Sequence, residues 1–100
     1  MTPASELNHL AGKWIVWKKD ESRPVVNLDG VVTGYTIGPR WRYGQISKRT
    51  KTMLHTMRYD RVLVSDAYVV AELDWPRWEF GAYKVLDQGE FDELMTRCQP

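Results

Sequence analysis

The side chains best suited to chemistry lie between positions 40 and 61. This segment carries seven lysines and arginines and one carboxylate, Asp60. Clustered cations with aromatic residues between them are typical of surfaces that hold phosphates while bases stack on rings. The segment therefore predicts binding to nucleic acid, to a nucleoprotein complex or to another acidic partner, through Arg40, Arg42, Lys48, Arg49, Lys51, Arg58 and Arg61.

The charge pattern allows a second interpretation. Residues 62–100 hold three lysines and arginines against eight carboxylates, so the acidic last third complements the basic segment. The loop from Lys48 to Lys51 could pair with that third inside the molecule or across a homodimer. The rings of Trp41 and Tyr43 alternate with two arginines, which favours a core position for them over base stacking.

His55 offers a third hypothesis, a small metal-independent ribonuclease. Its imidazole could transfer protons beside neighbouring cations able to hold a phosphodiester. His9 fits a surface position. The two histidines and the lone Cys98 show no metal-binding spacing, and the glycines at 34 and 38 lack the sequence of a phosphate loop. We expect the protein to bind neither a metal nor a cofactor. We expect it to be a non-enzymatic binding protein.

The sequence Trp-Pro-Arg-Trp at 75–78 indicates a protein-binding alternative. Tryptophan and arginine are enriched at the energetic centres of interfaces, so Trp75, Arg77 and Trp78 are candidate anchors. Of the two rings, we expect Trp78 to pack inward more readily than Trp75. On this hypothesis the chain is a protein–protein inhibitor or adaptor of the phage or mobile-element type, acting on a host protein such as a defence or nucleic-acid-processing complex.

Composition limits the architecture that positions these groups. The chain has 100 residues, a net charge of +1 and 23 leucine, isoleucine, valine and phenylalanine residues. This content is enough for one core and too little for two, so we expect a single domain over 1–100. No apolar run is long enough for a membrane span, and the N-terminus lacks the pattern of a secretory signal, so we expect a cytoplasmic protein.

Several short elements are predicted in the first half of the chain. Thr2 and Pro3 fit the start of a helix over about 3–11, which Gly12 would end. Residues 13–18 are apolar on both alternating faces, as in a central strand covered on both sides. Two β-branched runs around Asp29–Gly30 predict a hairpin with a type I′ turn. Gly38–Pro39 should then break the pairing before a half-buried strand over 40–47.

The second half predicts further strands and a terminal helix. Threonines favour a strand within 48–59, and the runs 62–64 and 68–73 predict a hairpin. A bulge is expected at Gly81. Asp87 to Glu90 has the pattern of a capping box, which opens a helix over about 88–98 that docks through Phe91, Leu94, Met95 and Cys98. The fold class is α+β, a mainly antiparallel curved sheet or small barrel with two helices.

Overall fold

The computed structural model describes residues 1–78 and 81–98. Over these residues the chain is mostly strand, with two single 3₁₀ turns and one C-terminal helix. The strands and the helix are β1 (Thr2–Pro3), β2 (Trp14–Val26), β3 (Val32–Arg49), β4 (Met53–Thr56), β5 (Arg61–Leu63), β6 (Ala67–Val70), β7 (Leu86–Asp87) and α1 (Gln88–Cys98). Within the described ranges, no helix is both long and apolar enough to cross a membrane.

The strands form one curled antiparallel sheet, a half-barrel. Their order is β1-β6-β2-β3-β4-β5, and β7 adds a short pairing to β3. The curved antiparallel sheet and the C-terminal helix of the α+β prediction are confirmed.

The predicted N-terminal helix is wrong. Only Ala4–Glu6 is helical, as a single 3₁₀ turn. Thr2 and Pro3 instead pair with β6, opposite Val69 and Tyr68, so Pro3 is extended and precedes the 3₁₀ turn. The segment still contributes to the core, because Ala4 and Leu10 are buried.

β2 and β3 form one long hairpin that extends further than the sequence indicated. The hairpin at Asp29–Gly30 is confirmed, but the turn type is wrong: Gly30 has a positive φ of 79° and Asp29 does not. The Gly30 N–H donates to the carbonyl of Asn27, and the Asn27 N–H donates to Val31, the pattern of a type I turn followed by a glycine bulge.

The predicted break at Gly38–Pro39 is also wrong, because β3 continues through both residues with Pro39 opposite Asp20. A proline is tolerated in a strand where its nitrogen faces away from the paired neighbour. The side of β3 away from β2 carries no ladder at Pro39, because β7 pairs only with Arg40 and Trp41.

The sheet has apolar residues on both faces, which confirms the prediction for the start of β2. Ile15 and Trp17 belong to a core inside the curl, together with Ile46, Leu54, Val62 and Ala67. Val16 points to the opposite face and joins a second core beneath α1, with Trp41, Tyr43, Trp75, Leu86, Phe91 and Leu94. One sheet therefore separates two small cores, where the composition predicted a single one.

Aromatic stacking dominates the second core. The Trp41 ring stacks on Phe91 at 4.0 Å between centroids, and Tyr43 stacks on Trp75 at 5.0 Å. The predicted inward orientation of Trp41 and Tyr43 is thus confirmed. Burial raises the pKa of Tyr43 to about 12, and its hydroxyl accepts a hydrogen bond from the Leu73 N–H at 2.8 Å.

The predicted hairpin joining residues 62–64 to 68–73 is wrong. A 3₁₀ turn over Val64–Asp66 redirects the chain, so β5 pairs with β4 while β6 pairs with β2 and β1. Both runs have strand-forming residues, but they join different parts of the sheet. The short β4 confirms the strand predicted within 48–59.

The terminal helix agrees with its sequence pattern. The Glu90 N–H donates to the Asp87 carboxylate at 2.8 Å, and the Asp87 N–H donates to the Glu90 carboxylate at 3.3 Å, so the capping box is confirmed. Phe91 and Leu94 are buried, whereas Cys98 is exposed and does not extend the docking stripe as predicted.

The region around Gly81 has a turn. Gly81 has a φ of 83°, and its N–H donates to the carbonyl of Trp78 at 2.9 Å. The bulge predicted there also involves Phe80, which lies outside the described residues.

Candidate nucleic-acid interface

The seven cations of the basic segment fall into groups with different surroundings. Arg40 and Arg42 lie on β3 where it pairs with β2. Arg42 forms an ion pair with Glu21, and Arg40 donates to the carbonyl of Pro39 while packing over Gly38. These two arginines are only partly exposed and serve contacts within the fold.

Arg58 and Arg49 also contact the rest of the molecule. The Arg58 guanidinium donates to the carbonyl of Gly81 at 2.7 Å and lies 5.4 Å from the centre of the Tyr83 ring. Arg49 donates to the carbonyl of Leu7 at 3.0 Å, yet its side chain remains exposed. Arg58 therefore holds residues 81–83 in place, while Arg49 keeps much of its charge toward solvent.

Lys48, His55 and Arg61 form a row across three strands. Lys48 on β3 lies opposite His55 on β4, and His55 lies opposite Arg61 on β5. Directly opposite residues share a sheet face, so the row spans roughly 10 Å at the usual strand spacing. The side chains of Leu54 and Thr56 are buried on the inner face of the sheet. The row lies on the other face, outside the curl.

A local irregularity places Lys48 in this row. The register shifts between Ile46 and Lys48, which leaves Ser47 as an extra residue in β3. The Ser47 hydroxyl donates to the carbonyl of His55 at 3.0 Å. Without the shift, alternation from Ile46 would put Lys48 on the inner face of the sheet.

The turn after β4 presents an aromatic ring beside the row. The Thr56 hydroxyl accepts hydrogen bonds from the N–H groups of Arg58 and Asp60, and it donates to the Asp60 carboxylate at 3.1 Å. Tyr59 within this turn has a positive φ of 67°, an uncommon backbone for a tyrosine, and its residue surface is 93% exposed. The turn thus holds a large ring in solvent.

These residues line a cleft of 370 Å³, called here the basic cleft. Its lining is Ser47, Lys48, His55, Thr56, Met57, Tyr59 and Arg61. The lining contains two permanent cations, one imidazole and one exposed phenol, and no carboxylate within the part of the chain that the structure describes. Lys51 lies in the exposed β3–β4 turn, where Thr50 and Met53 exchange hydrogen bonds.

The acidic last third does not neutralise this surface across the described ranges 1–78 and 81–98. The ion pairs there are Arg42 with Glu21 and Lys84 with Glu90, and neither involves the basic cleft. No group of three or more histidine, cysteine or carboxylate side chains comes together as a metal site within those ranges. The cleft presents positive charge without a carboxylate partner in its lining.

Trp75 is buried, which argues against its predicted role as an anchor for a partner. Its residue surface is only 3% exposed, and its indole N–H donates to the carbonyl of Lys84. Trp78 is 54% exposed, contrary to the expectation that it would pack inward more readily than Trp75. Arg77 is exposed and lies over the Tyr83 ring at 4.6 Å.

Sequence reasoning found the charged members of the cleft but not their arrangement. Lys48 and Arg61 were predicted as binding residues and His55 as a catalytic group, without a register to align them. Ser47 and Met57 were missed, because neither residue type signals binding. The chain matches no protein-family model, no curated protein and no solved structure.

Proposed function

We propose that the chain is a non-enzymatic protein that binds single-stranded nucleic acid through the basic cleft. The observation that carries the proposal is the cross-strand row Lys48–His55–Arg61 beside the exposed ring of Tyr59. Phosphate groups supply most of the affinity in such complexes and require cations that are free to meet them. Lys48 and Arg61 meet that requirement, since both are exposed in a cleft with no carboxylate in its described lining.

The exposed tyrosine favours a single strand over a duplex. A base can stack on a protein ring only where it is not already stacked between its neighbours. Tyr59 lies in the same cleft as the cations, so one strand can place a phosphate on Lys48 or Arg61 and a base on the phenol ring. Lys51, exposed in the β3–β4 turn, extends the path for the backbone.

Binding fits the cleft better than cleavage. Proton transfer without a metal uses an acid and a base positioned on the two reacting oxygens. The described lining holds His55 with neither a second imidazole nor a carboxylate beside it. In the binding role, His55 lies between the two cations and offers an imidazole N–H to a phosphate.

The test is fluorescence anisotropy with labelled single-stranded DNA, single-stranded RNA and duplex DNA of equal length. Wild-type protein is compared with Lys48→Gln/Arg61→Gln, and the matched control is Lys13→Gln/Arg97→Gln, which removes the same charge from exposed positions outside the cleft. We expect the cleft variant to lose at least tenfold in affinity for single strands and the control to stay within about twofold.

Three results would contradict the proposal. Absence of binding by the wild type at low salt would overturn it outright, and equal losses in both double variants would show general attraction to charge. Shortening of the labelled strand during the titration, abolished by His55→Ala, would instead establish the ribonuclease hypothesis.

A further inference from the structure

The outer part of the β2–β3 hairpin projects from the body as an arm, defined here as residues 24–37. The molecule measures 50 × 32 × 24 Å, and its radius of gyration of 15.1 Å exceeds the roughly 13 Å expected of a compact chain of this length. The turn at its tip is held by the Asn27 carboxamide oxygen, which accepts hydrogen bonds from the N–H groups of Asp29 and Val31. The arm is therefore a defined ribbon of two strands.

One face of the arm is apolar and exposed. Pro24 lies opposite Tyr35, and Val26 lies opposite Val32, while Ile37 follows two residues after Tyr35. These five residues form what is called here the arm face. Val26, Val32, Tyr35 and Ile37 are 53%, 48%, 71% and 79% exposed. None of the five is charged, and Leu28 in the turn at the tip is also exposed.

The reverse face of the same ribbon is different. Arg23 lies opposite Thr36 there, and the Arg23 guanidinium donates to the carbonyl of Val85 at 2.9 Å. The reverse face therefore has polar groups at the base of the arm and two exposed valines, Val25 and Val31, further out, whereas the arm face is apolar along its whole length. A two-stranded ribbon with one apolar face gains little stability in water unless that face is covered.

We propose that the arm face packs against the arm face of a second copy of this chain, forming a symmetric dimer. A two-fold interface uses the same surface on both partners, so it requires a patch that is compatible with itself. The arm face meets that requirement because it holds no charge that would repel its own copy. Two such faces would bury at most about 1,000 Å² in total, near the lower limit of a specific interface.

Because the interface is small, we expect a weak dimer that forms only at high protein concentration. It is also independent of the proposed function, because the basic cleft is built by the far end of β3 with β4 and β5. A dimer would carry two clefts on one assembly, which increases the apparent affinity for a strand long enough to reach both.

The test is sedimentation equilibrium over protein concentrations of about 1 to 500 µM. We expect the weight-average mass of the wild type to rise from 11.7 kDa toward twice that value. Ile37→Lys puts a charge into the arm face, and its dissociation constant should rise at least tenfold. The matched control is Thr36→Lys, the same charge on the neighbouring exposed residue of the opposite face, and it should stay within about twofold.

Two outcomes overturn the dimer. A wild type that stays at the mass of one chain throughout the range would leave the arm face to a different protein. Dimerisation that survives Ile37→Lys, or falls equally in both variants, would place the interface elsewhere. Circular dichroism checks that the variants are folded, and Tyr35→Ser replaces Ile37→Lys if that variant is not. Anisotropy with an oligonucleotide too short to reach two clefts measures binding to a single cleft. It therefore distinguishes a failure of dimerisation from a failure of nucleic-acid binding.

Discussion

The sheet face outside the curl has two halves that meet different environments. Over β2, β3 and β6 it presents Trp41 and Tyr43, which α1 and Trp75 cover. Over β4 and β5 it presents His55 and Arg61, which border an open cleft. Both halves rest on the same inner core, so the residue types on the outer face decide whether it is covered or exposed to solvent. The covered half stabilises the fold, and the open half is the surface that we propose for binding.

The largest expected effect comes from opening the covered half. Trp75→Ala removes a ring that stacks on Tyr43 and donates to Lys84, so we expect a loss of about 3–5 kcal/mol in the free energy of unfolding. Trp78→Ala, at an exposed position, should change it by no more than about 0.5 kcal/mol. Urea denaturation measures both. If Trp75→Ala lowered the free energy of unfolding as little as Trp78→Ala, the second core would not depend on Trp75.

In the open half, the ring should matter for binding and not for folding. Tyr59→Ala should lower the affinity for a single strand by about 1–3 kcal/mol, the usual contribution of one stacked base. Tyr59→Phe keeps the ring and should retain the affinity within about twofold. Anisotropy titrations of both variants decide the matter. A loss in both variants would assign the effect to the hydroxyl group and argue against stacking.

The capping box at the start of α1 stabilises the covered half to an extent that depends on pH. Hydrogen bonding from the Glu90 N–H, aided by the charge of Arg40, holds the pKa of Asp87 below its ordinary value. Its contribution to stability is therefore present above about pH 4 and lost as the pH falls through the lowered pKa.

Asp87→Ala should accordingly cost about 1 kcal/mol near neutral pH and much less in acid. Chemical denaturation at neutral and acidic pH measures this difference. Glu93→Ala, at an exposed position later on the same helix, is the control and should show little change at either pH. An equal cost of Asp87→Ala at both pH values would contradict the capping role.

The smallest expected effect is on the stability of the open half. Lys48→Gln/Arg61→Gln removes two exposed charges that have no ion pair in the described structure, so the free energy of unfolding should change by no more than about 0.5 kcal/mol. Thermal unfolding checks this. A clear loss of stability would make these cations part of the fold and weaken their assignment to a partner.

Local patterns predicted the parts of the fold that depend on neighbouring residues. The capping box placed the start of α1, and strand alternation gave the inward orientation of Trp41 and Tyr43. The errors arose where distant pairing overrides local preference. Thr2 and Pro3 pair with β6, and the runs at 62–64 and 68–73 pair with different strands. Trp75 looked like a loop residue because nothing nearby in sequence showed the stack that buries it.

The candidate site shows the same division. The composition of residues 40–61 indicated a cationic surface, but its members separate once β3 pairs along its length. Arg40 and Arg42 contact the fold, while Lys48 and Arg61, thirteen positions apart, share a cleft. Their alignment depends on the extra residue Ser47 and on the positive φ of Tyr59, and neither feature follows from residue type.

The salt dependence of binding tests the central claim most directly. Anisotropy titrations of a labelled single strand at several salt concentrations give the slope of log affinity against log salt. Each phosphate contact to a single strand contributes a slope of about −0.7, so Lys48→Gln/Arg61→Gln should make the wild-type slope shallower by about 1.4. Lys13→Gln/Arg97→Gln should leave it unchanged. Identical slopes in the wild type and both variants would contradict the assignment of the basic cleft as the phosphate-binding surface.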